Sequence, residues 1–194
     1  MTKIIFSSET LRFGVILFSF LAIACGQKKI LVMASGKISI KGNAVSVEAG
    51  NTHSEEIFLL GEDELVVKND AGNKAIPVPA NGFYLLNLKN DTLVGSYRAV
   101  AAGAGKTLIT QDELQKSIDS LQALSEGRNV SAASRNFFII PGGIAMVTEN
   151  TSADIIGPFR KLPTTFEGGR EYEIYKFYTN KEIREVIASL KQKQ

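Results

Sequence analysis

The chain has 194 residues, 44% hydrophobic and 22% charged, which supplies enough apolar side chain for a packed core and excludes wholesale disorder. A formal net charge of +2 leaves no basic footprint for nucleic acid. One Cys and one His exclude an internal disulfide and a Cys/His zinc site.

The first element reads as an export leader. Lys3 and Arg12 lie in a polar start, and Phe13 to Ala24 is an uncharged apolar stretch that ends in small residues. That order is the pattern of a secretory signal peptide, here residues 1–24. The stretch is too short to span a bilayer as a helix, which needs roughly 20 apolar residues. Leu21-Ala22-Ile23-Ala24-Cys25-Gly26 resembles the lipobox of bacterial lipoproteins, with Ala22 where that class usually has Leu. The resemblance implies a diacylglycerol on the Cys25 thiol, cleavage before Cys25 and acylation of the new amine by a palmitate-type chain. A thiolate is the nucleophile best suited to accept the lipid. Each buried CH₂ adds about 0.8 kcal/mol, so two or three chains hold where one would not. Residues 25–29 then form a lipidated tether. Gly26 is not the Asp that retains such proteins in the inner membrane, and no acidic cluster follows Cys25. The class therefore implies an outer-membrane protein that faces the periplasm.

The strands follow in order. Ile30 to Met33 is apolar, and Lys37 to Lys41 and Ala44 to Glu48 alternate around Gly42-Asn43, which predicts a hairpin. Gly50 to Glu56, with His53, reads as a polar loop before the apolar run Ile57 to Leu60. Glu64 to Lys68 and Lys74 to Val78 flank the turn-rich Asn69 to Asn73, and Pro77 and Pro79 push the second toward a sheet edge. Gly82 to Leu88 and Thr92 to Tyr97 flank Lys89-Asn90-Asp91, another hairpin signal. Residues 30–100 thus predict an antiparallel β unit, a small sandwich or a meander. Thr110 to Glu113 is a capping box, followed by Leu114, Ile118, Leu121 and Leu124 at helical spacing and by Gly127 as a stop. Asn136 to Ile140, Gly143 to Thr148 and Glu171 to Tyr178 read as strands. Thr179 to Glu182 is a second capping box, and Ile183, Val186, Ile187 and Leu190 make one apolar stripe. The fold class is α+β, with residues 101–194 an α+β half carrying two amphipathic helices. That half reads either as separate from the β unit or as one compact domain with it.

No motif defines a reaction. Gly103-Ala-Gly-Lys-Thr107 lacks the first Gly of a phosphate loop, because residue 100 is Val, so no nucleotide is expected. His53 has Glu55 and Glu56 nearby in sequence but no nucleophile elbow. Gly61 to Glu64 and Asn69 to Asn73 lack calcium-loop spacing and read as solvated turns. Tyr172, Tyr175, Phe177 and Tyr178 put aromatics on both faces of one strand, which reads as burial on both sides ahead of an exposed stacking platform for carbohydrate. Asp91-Thr92-Leu93 and Asp119-Ser120-Leu121 resemble a bacterial O-glycosylation acceptor. The candidate binding residues are Arg128, Arg135, Arg160 and Lys161, which lie in Gly- and Pro-rich connections and could grip a carboxylate or a sugar phosphate. No catalytic set, metal ligand or cofactor is expected. The reading is a lipid-anchored envelope protein with a binding or scaffolding role toward an envelope protein or glycan. The alternatives are an envelope hydrolase using paired carboxylates and a glycan- or lipid-binding module.

Overall fold

The structure, a computed structural model, describes residues 27–69, 72–98, 111–131, 133–162 and 172–192. The described residues are mostly β, with two helices, and are α+β in class.

The first strand sets the layering. β1 (Lys28–Lys41) opens with the unbroken apolar run Ile30 to Ala34, as a strand buried on both faces should. Ile30, Val32 and Ala34 enter one core, while Leu31 and Met33 enter another. After Gly36 the strand alternates, and Gly42 at φ +61° turns it into β2 (Ala44–Leu60). The two pair antiparallel throughout, but the register jumps from Ser35↔His53 to Gly36↔Ala49. Gly50, Asn51 and Thr52 bulge out there. Gly36 has φ +123°, and a Cβ on it would meet Glu48 O at 2.0 Å, so only glycine fits the jump.

β3 (Glu64–Asn69) and β4 (Gly72–Pro77) extend one flank, with the proline-bearing β4 on the edge. β5 (Gly82–Leu88) extends the other flank, and β8 (Ile144–Thr148) closes it. The order is β4-β3-β2-β1-β5-β8. A second sheet runs β7-β6-β10-β9, from β6 (Leu93–Arg98), β7 (Asn136–Ile139), β9 (Asp154–Ile156) and β10 (Ile174–Thr179).

Three cores lie between the layers. The first sheet curls so that Ile38, Val45, Leu65 and Ile76 fold over Ile30, Val32 and Leu86. Its other face meets the second sheet through Leu31, Met33, Phe83 and Leu85 against Leu93, Ile139, Tyr175 and Phe177. The far face of the second sheet carries α1 (Gln111–Ser125) and α2 (Asn180–Lys191) on Val94, Ile118, Leu124, Ile183 and Ile187. Each such side chain, fully buried, contributes about 1.5–3 kcal/mol. α2 starts at a complete capping box: Thr179 Oγ1 accepts from Glu182 N and the Glu182 carboxylate accepts from Thr179 N. Thr110, the expected cap of α1, lies outside the described residues. So does Gly103 to Thr107.

Three expectations are corrected. The residue 30–100 unit is not purely antiparallel, because β5 lies parallel to β1 and β3 parallel to β2. The turn at Lys89 to Asp91 does not close a hairpin, because β5 and β6 belong to different sheets. The cause is Asn87, a fully buried polar residue in an apolar strand. Its Nδ2 donates to Asp91 O and Ile139 O, and its Oδ1 accepts from Lys89 N. Its main chain bonds Gly142 and Gly143, so both crossovers between the sheets meet at one satisfied residue. Finally, Gly50 to Glu56 is not a solvated loop but part of β2, with His53 half-buried.

Candidate functional site

The four candidate side chains take separate places. Arg128 pairs locally with Glu126, at 2.6 Å on the surface. Arg135, at φ +51°, pairs with Glu173 at 2.5 Å and lies 4.2 Å from the Tyr97 ring centroid. Arg160 pairs with Glu55 at 3.1 Å, and its neighbour Lys161 is exposed. Each arginine thus answers a different carboxylate. Cys25 lies outside the described residues.

Among the described residues, a dense polar constellation surrounds Glu55. Alternation along β2 points His53, Glu55, Ile57 and Leu59 to one face and Ser54 and Glu56 to the other. Glu55 and Glu56 therefore do not converge as a pair. Glu55 has its side chain only 11% exposed, with Oε1 at 2.8 Å from His53 Nε2. On the other ring nitrogen, Lys89 Nζ lies 3.1 Å from His53 Nδ1. An ammonium can only donate, so Nδ1 accepts and Nε2–H donates to Glu55. The order is Lys89, His53, Glu55, Arg160.

The loop Gly157 to Arg160 covers this relay. A Cβ on Gly157 would lie 1.7 Å from Glu55 Oε1, so the glycine lets the backbone touch the carboxylate. Lys176 Nζ donates to Gly157 O at 2.5 Å, and Phe159 N donates to Glu182 Oε1 at 3.1 Å. These bonds hold Phe159 at φ +64°, a conformation that costs a non-glycine residue about 1–3 kcal/mol. The held ring packs edge-on against His53 with centroids 5.6 Å apart, yet Phe159 stays 66% exposed. Next along the β2 face, Ile57 and Leu59 are 56% and 60% exposed. β2 pairs with β3 only through Ala44 to Ser46, so Val47 to Leu60 has an open edge among the described strands.

The buried lysines explain what the relay can do. Burial pushes Lys89 below the ordinary lysine value, while Glu55 and then Asp91 pull it back up. Burial likewise pushes Lys176 down, against Glu182 and Glu55. Lys89 is buried and faces two acceptors, His53 and Ala34 O, so its Nζ is engaged within the fold and kept from a substrate. The exposed parts, Phe159, Arg160, Ile57 and Leu59, form a surface that mixes apolar groups with a cation. The sequence signal for it was slight: an aromatic between Pro158 and Arg160 in a polar connection.

A second cluster tests the electrostatics. Glu173 accepts from Tyr175 at 2.6 Å and from Thr148 and Asn150 at 2.9 Å. Burial raises the Glu173 pKa, but these bonds and Arg135 outweigh it and leave the carboxyl below its ordinary value. Burial, then the Glu173 bond, pushes the Tyr175 hydroxyl up to about 12. An unfolded tyrosine ionises near pH 10, so Tyr175 stabilises the fold fully below about pH 10. That contribution is lost as pH rises through about 12. The depressed lysines act oppositely and add stability with rising pH up to the unfolded value of about 10.4. The urea midpoint should therefore rise in mild alkali and fall above about pH 10.4, and Tyr175→Phe should flatten the fall. An equal fall in both proteins would contradict the assignment.

No helix among the described residues is long and apolar enough to cross a membrane. No family model, curated protein or solved structure matches the chain.

Proposed function

We propose that this is a lipid-anchored protein of the bacterial cell envelope, held in the outer membrane and facing the periplasm, whose domain binds another envelope protein. The observation that carries the binding role is the exposed Phe159 and Arg160, pinned over Glu55, beside exposed Ile57 and Leu59 on an open strand edge. An extended segment of the partner would add to β2, with main-chain bonds giving affinity and these side chains giving selectivity. The anchoring role rests on the leader that halts at Cys25. β1 begins at Lys28, three residues later, and that span reaches at most about 10 Å, so the domain would sit against the headgroups. The halves act as one domain in this reading, because β6 and β8 each join a sheet built mainly from the other half.

Two measurements test it. Cys25→Ser should move the protein to the soluble fraction and remove the acyl adducts from its mass. A photo-crosslinker at Leu59 should capture an envelope protein, and Ile57→Thr with Phe159→Ser should abolish the adduct. Membrane retention of the unacylated Cys25→Ser protein would defeat the anchor, and a crosslinker that captures nothing would defeat the surface.

A further inference from the structure

We propose that the groove between β6, β7 and α1 is a binding site for a terminal phosphate group, free or esterified, gripped by Arg98 and Lys116. The site is distant in kind from the β2 surface and does not depend on it. Ser96 on β6 pairs with Asn136 on β7, and Arg98 follows two residues later on the same, helix-facing side. α1 lays Lys116, Ser117, Ser120, Leu121 and Leu124 across them, enclosing about 280 Å³. Two cations and three hydroxyls line this space over two leucines, and among the described residues no carboxylate does.

Arg98 Nε supplies the second observation. It is shut off from water and has no hydrogen-bond partner among the described residues. A buried donor left unmade costs about 1–3 kcal/mol, and more on a charged group, so native folds rarely keep one. Arg98 also lines the groove, and turning its guanidinium side-on to the groove would release Nε from burial and bring Nε and one Nη together onto two oxygens. That is the fork that fits phosphate bidentately. Lys176 is pushed down by burial, pulled up by Glu182 and Glu55, and pushed down again by Arg98, a repulsion an anion would relieve. A monoester offers three terminal oxygens, enough for Arg98, Lys116 and a serine at once. The groove has room for a compact body beyond the phosphate. Asn136 Nδ2 donates to Asn129 O, so this residue braces the wall.

Titration calorimetry on the full chain at fixed ionic strength, with inorganic phosphate, glycerol 3-phosphate and acetate, tests the site. Both phosphates should bind saturably and acetate about tenfold more weakly or not at all, the scale of one charge-assisted bond. Equal affinity for the two phosphates identifies free phosphate as the source. Tighter binding of glycerol 3-phosphate identifies a lipid headgroup or another glycerol-linked phosphate. Lys116→Ala should weaken binding about tenfold. Ser120→Glu, at an exposed helix position that leaves the core intact, should abolish it. No saturable heat from either phosphate, or binding unchanged in Ser120→Glu, would overturn the proposal.

Discussion

Glu55→Ala should lower the stability of the domain by about 3 kcal/mol, the low end for breaking a buried ion pair from one side. The carboxylate is the acceptor for His53 and the counter-charge for Arg160, and its field also supports Lys89 and Lys176. Without it, two buried ammonium groups lose a nearby counter-charge. Arg160→Ala should cost under about 1 kcal/mol, because that guanidinium is 67% exposed and an exposed pair contributes little. Glu55→Gln should fall between, since a carboxamide still accepts from His53 Nε2–H but carries no charge. Gly157→Ala offers a cross-check. Its Cβ collides with the Glu55 carboxylate, so it should destabilise the wild type and cost far less in Glu55→Ala. Urea midpoints give the energies, and hydrogen exchange at Phe159 and Arg160 should speed up in Glu55→Ala. Equal midpoints for Glu55→Ala and Arg160→Ala would mean that the relay holds nothing.

What the sequence shows plainly is what local physics controls. Gly42-Asn43 between alternating runs gives the first hairpin, the prolines mark β4 as an edge, and Thr179 with Glu182 starts α2 at the expected residue. Burial of Tyr175 and Phe177 between the sheets, with Tyr178 packed toward the helices, follows from aromatics at successive strand positions. Sheet membership is different, because it depends on partners far along the chain. A turn signal says that the chain reverses, but not whether the next strand pairs back or crosses to another layer. At Lys89 to Asp91 the decision belongs to Asn87 and its bond to Ile139 O, 52 residues away. Glu55 was hidden for a related reason. Inward positions of β2 at residues 53 and 55 are themselves polar, so the period of two is invisible in hydropathy. Arg160 stood out as a candidate, but its carboxylate partner lies more than a hundred residues earlier.

One device recurs through the fold and links its layers. Lys28, Lys29, Lys89 and Lys176 each reach a backbone carbonyl on another segment: Glu62, Thr151, Ala34 and Gly157. Lys29 Nζ also lies over the Phe83 ring, 4.2 Å from its centroid, a cation–π contact. Each ammonium ties a strand to a loop that has few apolar contacts of its own. Lys28 also pairs with Asp63, which pins the turn after β2. The loop that presents Phe159 is thus held by charge and hydrogen bonds at the margin of the core, a site where rigidity and exposure can coexist.

The largest single loss should come from Phe177→Ala, about 4 kcal/mol, the range for deleting a buried ring. Phe177 is fully buried and pairs across the strands with Gly95. Its ring lies over that glycine, because a Cβ on Gly95 would meet the ring at 2.4 Å. Phe137 packs against both Phe177 and Tyr175 at 5.8 Å, so the ring has nowhere to retreat. Gly95→Ala should therefore destabilise the wild type by about 1–3 kcal/mol through overpacking. In the Phe177→Ala background the sign should reverse. The new methyl then fills part of the cavity, and alanine loses less conformational entropy on folding than glycine. A double-mutant cycle by urea denaturation reads this directly as a coupling beyond the few tenths expected of independent sites. If Gly95→Ala costs the same with and without the ring, the glycine serves some need of β6 itself, and the aromatic layer between the sheets is looser than its geometry implies.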